Sequence, residues 1–145
     1  MKKIICILLV LCIFPVCAFA LDLDEFNVFA SVVGVSELDI NEAKVSDFHY
    51  GFVKEGCKIY IDEKVKGKID GIYIIGKGDS FLAYCCAAIH VFDQHTSSSS
   101  NYGQLLTMYL MAHTTEEYQA GETQNGYLFF IQKTDGEYMF LIGEA

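Results

Sequence analysis

The sequence contains no arginine, no tryptophan and a single proline. Without arginine, the chain has no guanidinium group, the planar donor that commonly binds carboxylates and phosphates through two hydrogen bonds. This absence argues against a dedicated phosphate or carboxylate site. Without tryptophan, the aromatic part of the core must come from the 11 phenylalanines and nine tyrosines.

The first 20 residues have the organisation of a secretory signal peptide. Lys2 and Lys3 precede an apolar run over residues 4–16, and the Ala-Phe-Ala of residues 18–20 is typical of a cleavage site. The apolar run is too short to span a bilayer comfortably. We therefore predict export to the periplasm or the medium, no membrane insertion after cleavage, and one mature domain over residues 21–145.

The predicted mature chain is strongly acidic. It carries eight lysines against 19 carboxylates, a net charge of −11 with neutral histidines. This charge disfavours nucleic acid and anionic membranes as partners, because the mean field repels both. It is compatible with a basic protein partner, and also with a charge that only keeps an exported domain soluble.

Hydrophobic periodicity predicts an α+β fold. The pattern indicates a helix over residues 23–33, a hairpin over residues 57–75, two consecutive helices, and a closing hairpin over residues 127–142. If residues 49–53 also open a strand, the first hairpin becomes a three-stranded meander. We expect an antiparallel sheet built from the two hairpins and packed against the N-terminal helix and the two central helices. The polar segments 36–47 and 116–122 are interpreted as an irregular connection and a solvated loop.

The closing hairpin is apolar on both faces. Asp135-Gly136 is a strong signal for a two-residue turn, and with that turn Phe129 faces Ile142. The opposite face then carries Leu128, Phe130, Met139 and Leu141. Because one face packs on helices, the other needs either more of the same chain or a partner. These four residues are therefore a candidate interface.

Three cysteines follow the signal peptide, an odd number for an oxidising compartment. Strand alternation places Cys57 on the apolar face of its strand, and helical spacing places Cys85 on the buried face of the first central helix. We predict a Cys57–Cys85 disulfide, with Cys57–Cys86 as the alternative pairing, and one remaining thiol.

Cys86, His90 and Asp93 lie at positions i, i+4 and i+7 of the same helix. That spacing suits a metal or an activated thiol. A structural zinc site has four ligands, usually including a second closely spaced pair, which the chain does not provide. We therefore predict no metal and no cofactor, and favour a partly buried thiol beside a surface histidine.

The second central helix is predicted to align Tyr102, Leu106, Tyr109 and His113 on one face. A histidine on such a face is more often a hydrogen-bonded structural residue than a catalyst.

The Gly-Lys-Gly-Asp-Ser segment of residues 76–80 joins a predicted strand to a predicted helix, where backbone N–H groups can bind phosphate. It lacks the P-loop spacing. We therefore interpret it as a turn, with Asp79 or Ser80 as the helix cap.

The sequence leaves three classes of function open. The first is an exported, non-catalytic binding protein, such as an inhibitor or immunity-type partner of another envelope or secreted protein. The second is a small exported hydrolase, or a thiol- or metal-dependent enzyme, that uses Cys86, His90 or His113. The third is a structural envelope protein that self-associates, for example as a homodimer, through the apolar face of the closing hairpin.

Overall fold

A computed structural model describes residues 23–46, 49–65, 68–93 and 99–143; the predicted signal peptide of residues 1–20 lies outside them. The described residues form helices α1 (residues 23–32), α2 (Gly78–Phe92) and α3 (Ser99–Thr115). A short 3-10 helix, Ile40–Glu42, precedes the first strand. The strands are β1 (Lys44–Ser46), β2 (His49–Lys54), β3 (Cys57–Val65), β4 (Lys68–Gly76), β5 (Gln119–Glu122), β6 (Leu128–Thr134) and β7 (Glu137–Gly143). The predicted α+β class is confirmed.

The strands form one seven-stranded antiparallel sheet in the order β1-β2-β3-β4-β7-β6-β5. The two predicted hairpins, β3–β4 and β6–β7, become neighbours because β4 pairs with β7. The sheet is larger than predicted. β1 lies in the segment predicted to be irregular and β5 in the segment predicted to be a solvated loop, and both are short edge strands that complete the pairing of β2 and β6.

Two hairpin turns fix the register of the sheet. Asp135 and Gly136 have φ values of 54° and 82°, as in the two-residue type I′ turn that the sequence predicts. Phe129 then pairs with Ile142, as expected. The β2–β3 turn at Glu55 has a similar backbone, with φ at 48°. Both turns match the right-handed twist of the strands that they join.

The Glu55 carboxylate connects this turn to the helical layer. It accepts hydrogen bonds from the Ser36 backbone N–H at 2.6 Å and from the Ser36 and Ser80 hydroxyls at 2.7 and 2.8 Å. These donors hold the pKa of Glu55 below its ordinary value, because they stabilise the ionised form.

The inner face of the sheet, which packs against the helices, is formed by alternate residues of the four central strands. Its fully buried side chains are Ile59, Ile61, Ile72, Ile74, Phe129, Ile131, Phe140 and Ile142. Branched and aromatic side chains of this kind fill a pleated surface well. The alternation therefore gives one continuous core between the sheet and the helices.

All three helices lie on this inner side. Phe81 of α2 contacts Tyr138 of β7, with ring centroids 5.7 Å apart. Phe26 of α1 stacks on Tyr84 of α2 at 6.2 Å, so α1 packs against α2. None of the helices in the described residues combines the length and hydropathy that a membrane-crossing helix requires.

The predicted face of α3 is confirmed in part, since Tyr102 and Tyr109 pack against the core. Leu105, Met108 and Ala112 are buried, whereas Leu106 is 50% exposed and His113 is also exposed. The cause lies in β5, where a Cβ at Gly121 would be 2.8 Å from Met108 Sδ. Because glycine has no side chain, α3 approaches β5 closely through Met108.

Gly76 provides a test of the core packing. A Cβ at this position would lie 2.6 Å from Cys57 Sγ and 3.3 Å from its Cα. We expect Gly76→Ala to lower the free energy of unfolding by about 1–3 kcal/mol, as overpacked cores do. The double variant Gly76→Ala/Cys57→Ala should regain part of this loss, because it removes the sulfur. Urea denaturation measures both effects.

Gly103→Ala is the matched control, since a Cβ there would have no neighbour within 4 Å and the residue lies inside α3. Its stability should equal or slightly exceed that of the wild type, because alanine favours a helix over glycine. Equal stability of the two single variants would contradict the close approach of β3 and β4 at this point.

Candidate functional site

The outer face of the sheet, opposite the helices, carries transverse rows of side chains, each row formed by residues paired across successive strands. The middle row crosses all seven strands. From β1 to β5 it consists of Lys44, Gly51, Tyr60, Tyr73, Leu141, Phe130 and Ala120. Five consecutive members, from Tyr60 to Ala120, are apolar or aromatic, and a lysine stands at the β1 end.

The flanking rows show the same division between the two halves of the sheet. One row consists of Ser46, His49, Asp62, Gly71, Gly143, Leu128 and Glu122. The other consists of Val53, Lys58, Ile75, Met139 and Gln132. The half built from β4, β7 and β6 is therefore mainly apolar, and the half built from β1, β2 and β3 carries the lysines.

We call the apolar half the apolar patch and define it by Tyr73, Ile75, Leu128, Phe130, Met139 and Leu141. Its members contact one another: the Tyr73 hydroxyl donates a hydrogen bond to Met139 Sδ at 3.0 Å. Tyr118, which precedes β5, stacks on Phe130 with ring centroids 5.2 Å apart. The patch is a packed surface of rings and aliphatic groups rather than a set of isolated side chains.

The four residues predicted as an interface from the closing hairpin all belong to this patch. Leu128, Phe130 and Met139 are partly buried by their neighbours, and Leu141 is 43% exposed. The helices of the described residues pack on the other side of the sheet. Their role as an interface stays a prediction.

Three hollows lie along the outer face. Two of them, of about 240 and 370 Å³, are bordered by the apolar patch and share Phe130 and Leu141. The third, of about 480 Å³, lies at the β1–β3 end. We call it the basic notch, and its lining includes Glu42, Lys44, His49, Gly51, Lys54, Lys58 and Tyr60.

The basic notch exists because β1 is short. β1 pairs only with residues 49–51 of β2, so it leaves the following residues of β2 without a strand on that side. The Tyr60 ring lies over Gly51, where an added Cβ would be 3.4 Å from the ring. Aromatic side chains commonly cover a strand glycine in this way. Sequence reasoning missed the notch because its lysines come from different strands.

Cys86, His90 and Asp93, the cluster weighed as a metal or thiol site and disfavoured from the sequence, make separate contacts in the structure. His90 stacks on Phe29 of α1 at 4.5 Å, and buried Asp93 accepts a hydrogen bond from the Asn101 side chain. Among the described residues, no three histidines, cysteines or carboxylates are placed to hold a metal ion. Burial also raises the pKa of the Cys86 thiol to about 11, the opposite of activation.

The predicted Cys57–Cys85 disulfide is not formed. Both residues are buried in the same core, as their positions indicated, but both are free thiols, and Cys86 is also free. The Cys57 sulfur occupies the space in front of Gly76 on the neighbouring strand. Burial raises the pKa values of both core thiols, so they behave as small apolar side chains.

His113 has a structural environment. Its Nδ1 lies 2.5 Å from the Tyr138 hydroxyl, and the Tyr138 ring is 4.4 Å from the Tyr109 ring. This agrees with the interpretation of His113 as a hydrogen-bonded residue of the helix.

The segment of residues 76–80 is a turn and helix start. Lys77, not Asp79 or Ser80, is the N-cap residue, and it makes no side-chain capping bond. The Ser80 hydroxyl donates a hydrogen bond to the Glu55 carboxylate. This hydroxyl therefore already has a partner within the protein.

Comparisons with protein-family models, with curated protein sequences and with solved structures find no match to this chain. The fold and the site define the class of this protein. It is an α+β protein whose antiparallel sheet has helices on one face and, on the other, an apolar patch beside a basic notch.

The thiols provide a direct test of the core. We expect Cys57, Cys85 and Cys86 to react slowly with iodoacetamide in the native protein at pH 8, because burial raises the pKa of all three thiols. With its pKa at about 11, Cys86 is about one part in a thousand thiolate at that pH. All three should react after unfolding in guanidinium chloride without a reductant. Peptide mapping by mass spectrometry measures each site, and a blocked Cys57–Cys85 pair would contradict the free thiols.

Proposed function

We propose that this chain is an exported, non-catalytic binding protein whose outer face engages another protein of the envelope or the medium, as an inhibitor or immunity-type partner does. The observation that carries the proposal is the one-sided covering of the sheet. An antiparallel sheet usually places polar side chains on its uncovered face. Here the middle row of that face is apolar over five consecutive strands.

The composition of the patch supports a protein partner. Aromatic residues and methionine are enriched in the centres of protein interfaces, and charged residues are depleted there. The patch contains Tyr73, Phe130 and Met139 and no charged residue. Contiguous apolar surface of this kind marks interaction sites in exported and soluble proteins.

In this proposal, residues 1–20 act as a signal peptide that directs export to the envelope or the medium. Export would bring the mature chain, with its net charge of −11, into contact with envelope or secreted proteins. No specific observation favours the enzyme alternative, since Cys86, His90 and His113 are occupied by structural contacts. Self-association through the same patch is the competing explanation, and the experiment below separates the two.

Leu141→Asp and Leu110→Asp form a matched pair. Both leucines are exposed, at 43% and 57%, but Leu141 lies in the apolar patch and Leu110 lies on α3. The full-length tagged chain, expressed and exported in its native cell, is captured from the envelope and medium. We expect a roughly equimolar partner to be lost with Leu141→Asp, by tenfold or more, and retained with Leu110→Asp, because a buried unpaired charge weakens an interface.

Three outcomes would contradict the proposal: capture of the protein alone, equal loss of the partner in both variants, or loss only with Leu110→Asp. Sedimentation of the purified protein tests self-association. If the purified protein is a homodimer and Leu141→Asp converts it to a monomer, the partner of the outer face is a second copy of this chain and not a protein of different sequence. Circular dichroism of both variants checks that each retains the fold of the wild type.

A further inference from the structure

We propose that the outer face binds a polypeptide segment with two chemical parts: an apolar part that covers the apolar patch, and carboxylates that reach Lys44 and Lys58 in the basic notch. This inference rests on the proposed function and adds the chemistry of the partner. It opposes the expectation from net charge, which favours a basic partner.

The notch and the patch form one surface. Tyr60 lines the notch, and its ring centroid is 6.0 Å from that of Tyr73 in the patch. Tyr73 in turn donates to Met139 and is paired with Leu141 on the neighbouring strand. A ligand that leaves the notch over Tyr60 therefore reaches the patch without crossing a charged side chain of the middle row.

Two lysines of the notch are available to a ligand. Lys54 is paired with Glu42 at 2.5 Å, and the neighbouring His49 is paired with Asp62 at 2.6 Å. No ion pair joins Lys44 or Lys58 to a carboxylate of the described residues. Both are exposed. An acidic group placed between them would gain two partners without breaking an existing pair.

Positive charge predominates in the notch. Its lining carries Lys44, Lys54 and Lys58 against the single carboxylate of Glu42. Within the described outer face, Asp62 lies on the half that carries the notch and is paired with His49, whereas Glu122 on β5 and Glu137 at the start of β7 lie on the far half of the sheet. Salt screens the distant charges of the helical layer over about 8–10 Å, so the nearest groups decide the local preference. The notch therefore attracts carboxylates on a protein that is acidic as a whole.

The dimensions of the middle row suggest the length of the bound segment. Neighbouring strands are about 4.8 Å apart, so the six spacings from β1 to β5 span roughly 29 Å. An extended chain covers this distance with about nine residues. A segment with acidic residues at one end and apolar residues over the rest would match the row from Lys44 to Ala120.

The test uses two synthetic peptides with the same apolar sequence, Leu-Phe-Val-Leu-Phe preceded by Gly-Ser. One begins with three glutamates and the other with three lysines. Dissociation constants are measured at low salt by NMR titration of the purified, isotope-labelled protein, with the shifts of Leu141 and Tyr60 as reporters. We expect the acidic peptide to bind about tenfold more tightly, since each exposed ion pair contributes a few-fold. The preference should narrow as salt increases.

The double variant Lys44→Gln/Lys58→Gln should abolish the preference for the acidic peptide. Lys77→Gln/Lys133→Gln removes the same charge outside the notch lining and should keep the preference. Tighter binding of the basic peptide, an unchanged preference in the Lys44→Gln/Lys58→Gln protein, or no binding of either peptide would overturn the inference. The proposed function fails separately, when Leu141→Asp leaves the captured partner in place.

Discussion

The register of β7 is the constraint on which the rest of the structure depends. β7 lies between β4 and β6 near the centre of the sheet, so its alternation assigns side chains to both halves. Phe140 and Ile142 enter the core, and Met139 and Leu141 face outward. The two-residue turn at Asp135-Gly136 holds this assignment, because a slip by one residue would exchange the two faces of the strand.

The outer face takes its character from the position of the helices. α2 and α3 pack on the inner face and α1 packs on α2, so within the described residues no helix covers the other side of the sheet. β4, β7 and β6 nonetheless carry mainly apolar side chains on both sides, as in sheets that are covered twice. The sheet thus has apolar side chains on two faces but helices on only one, and this difference is the physical basis for proposing that the outer face binds a partner. The short β1 adds a notch with unpaired lysines at the end of the same surface.

Periodicity predicted the helices, the two hairpins and the outward residues of the closing hairpin, because each signal lies within one segment of the chain. The edge strand β5 was missed, since its Ala120 and Gly121 favour strands weakly and pair only because β6 is present. The core face of α3 depends on the gap at Gly121, and the fate of Cys57 depends on the space in front of Gly76. Such contacts between distant segments have no local signal.

The solvent accessibility of neighbouring methyl groups along β7 and β4 tests most directly whether the outer face of the sheet is open in the free protein. A soluble paramagnetic agent broadens the NMR signals of exposed methyl groups in the purified protein. We expect strong broadening at Leu141 and clear broadening at Ile75, and none at Ile142 and Ile74, which are fully buried. Equal protection of all four would mean that the outer face is covered in the free protein, and would contradict an open binding surface.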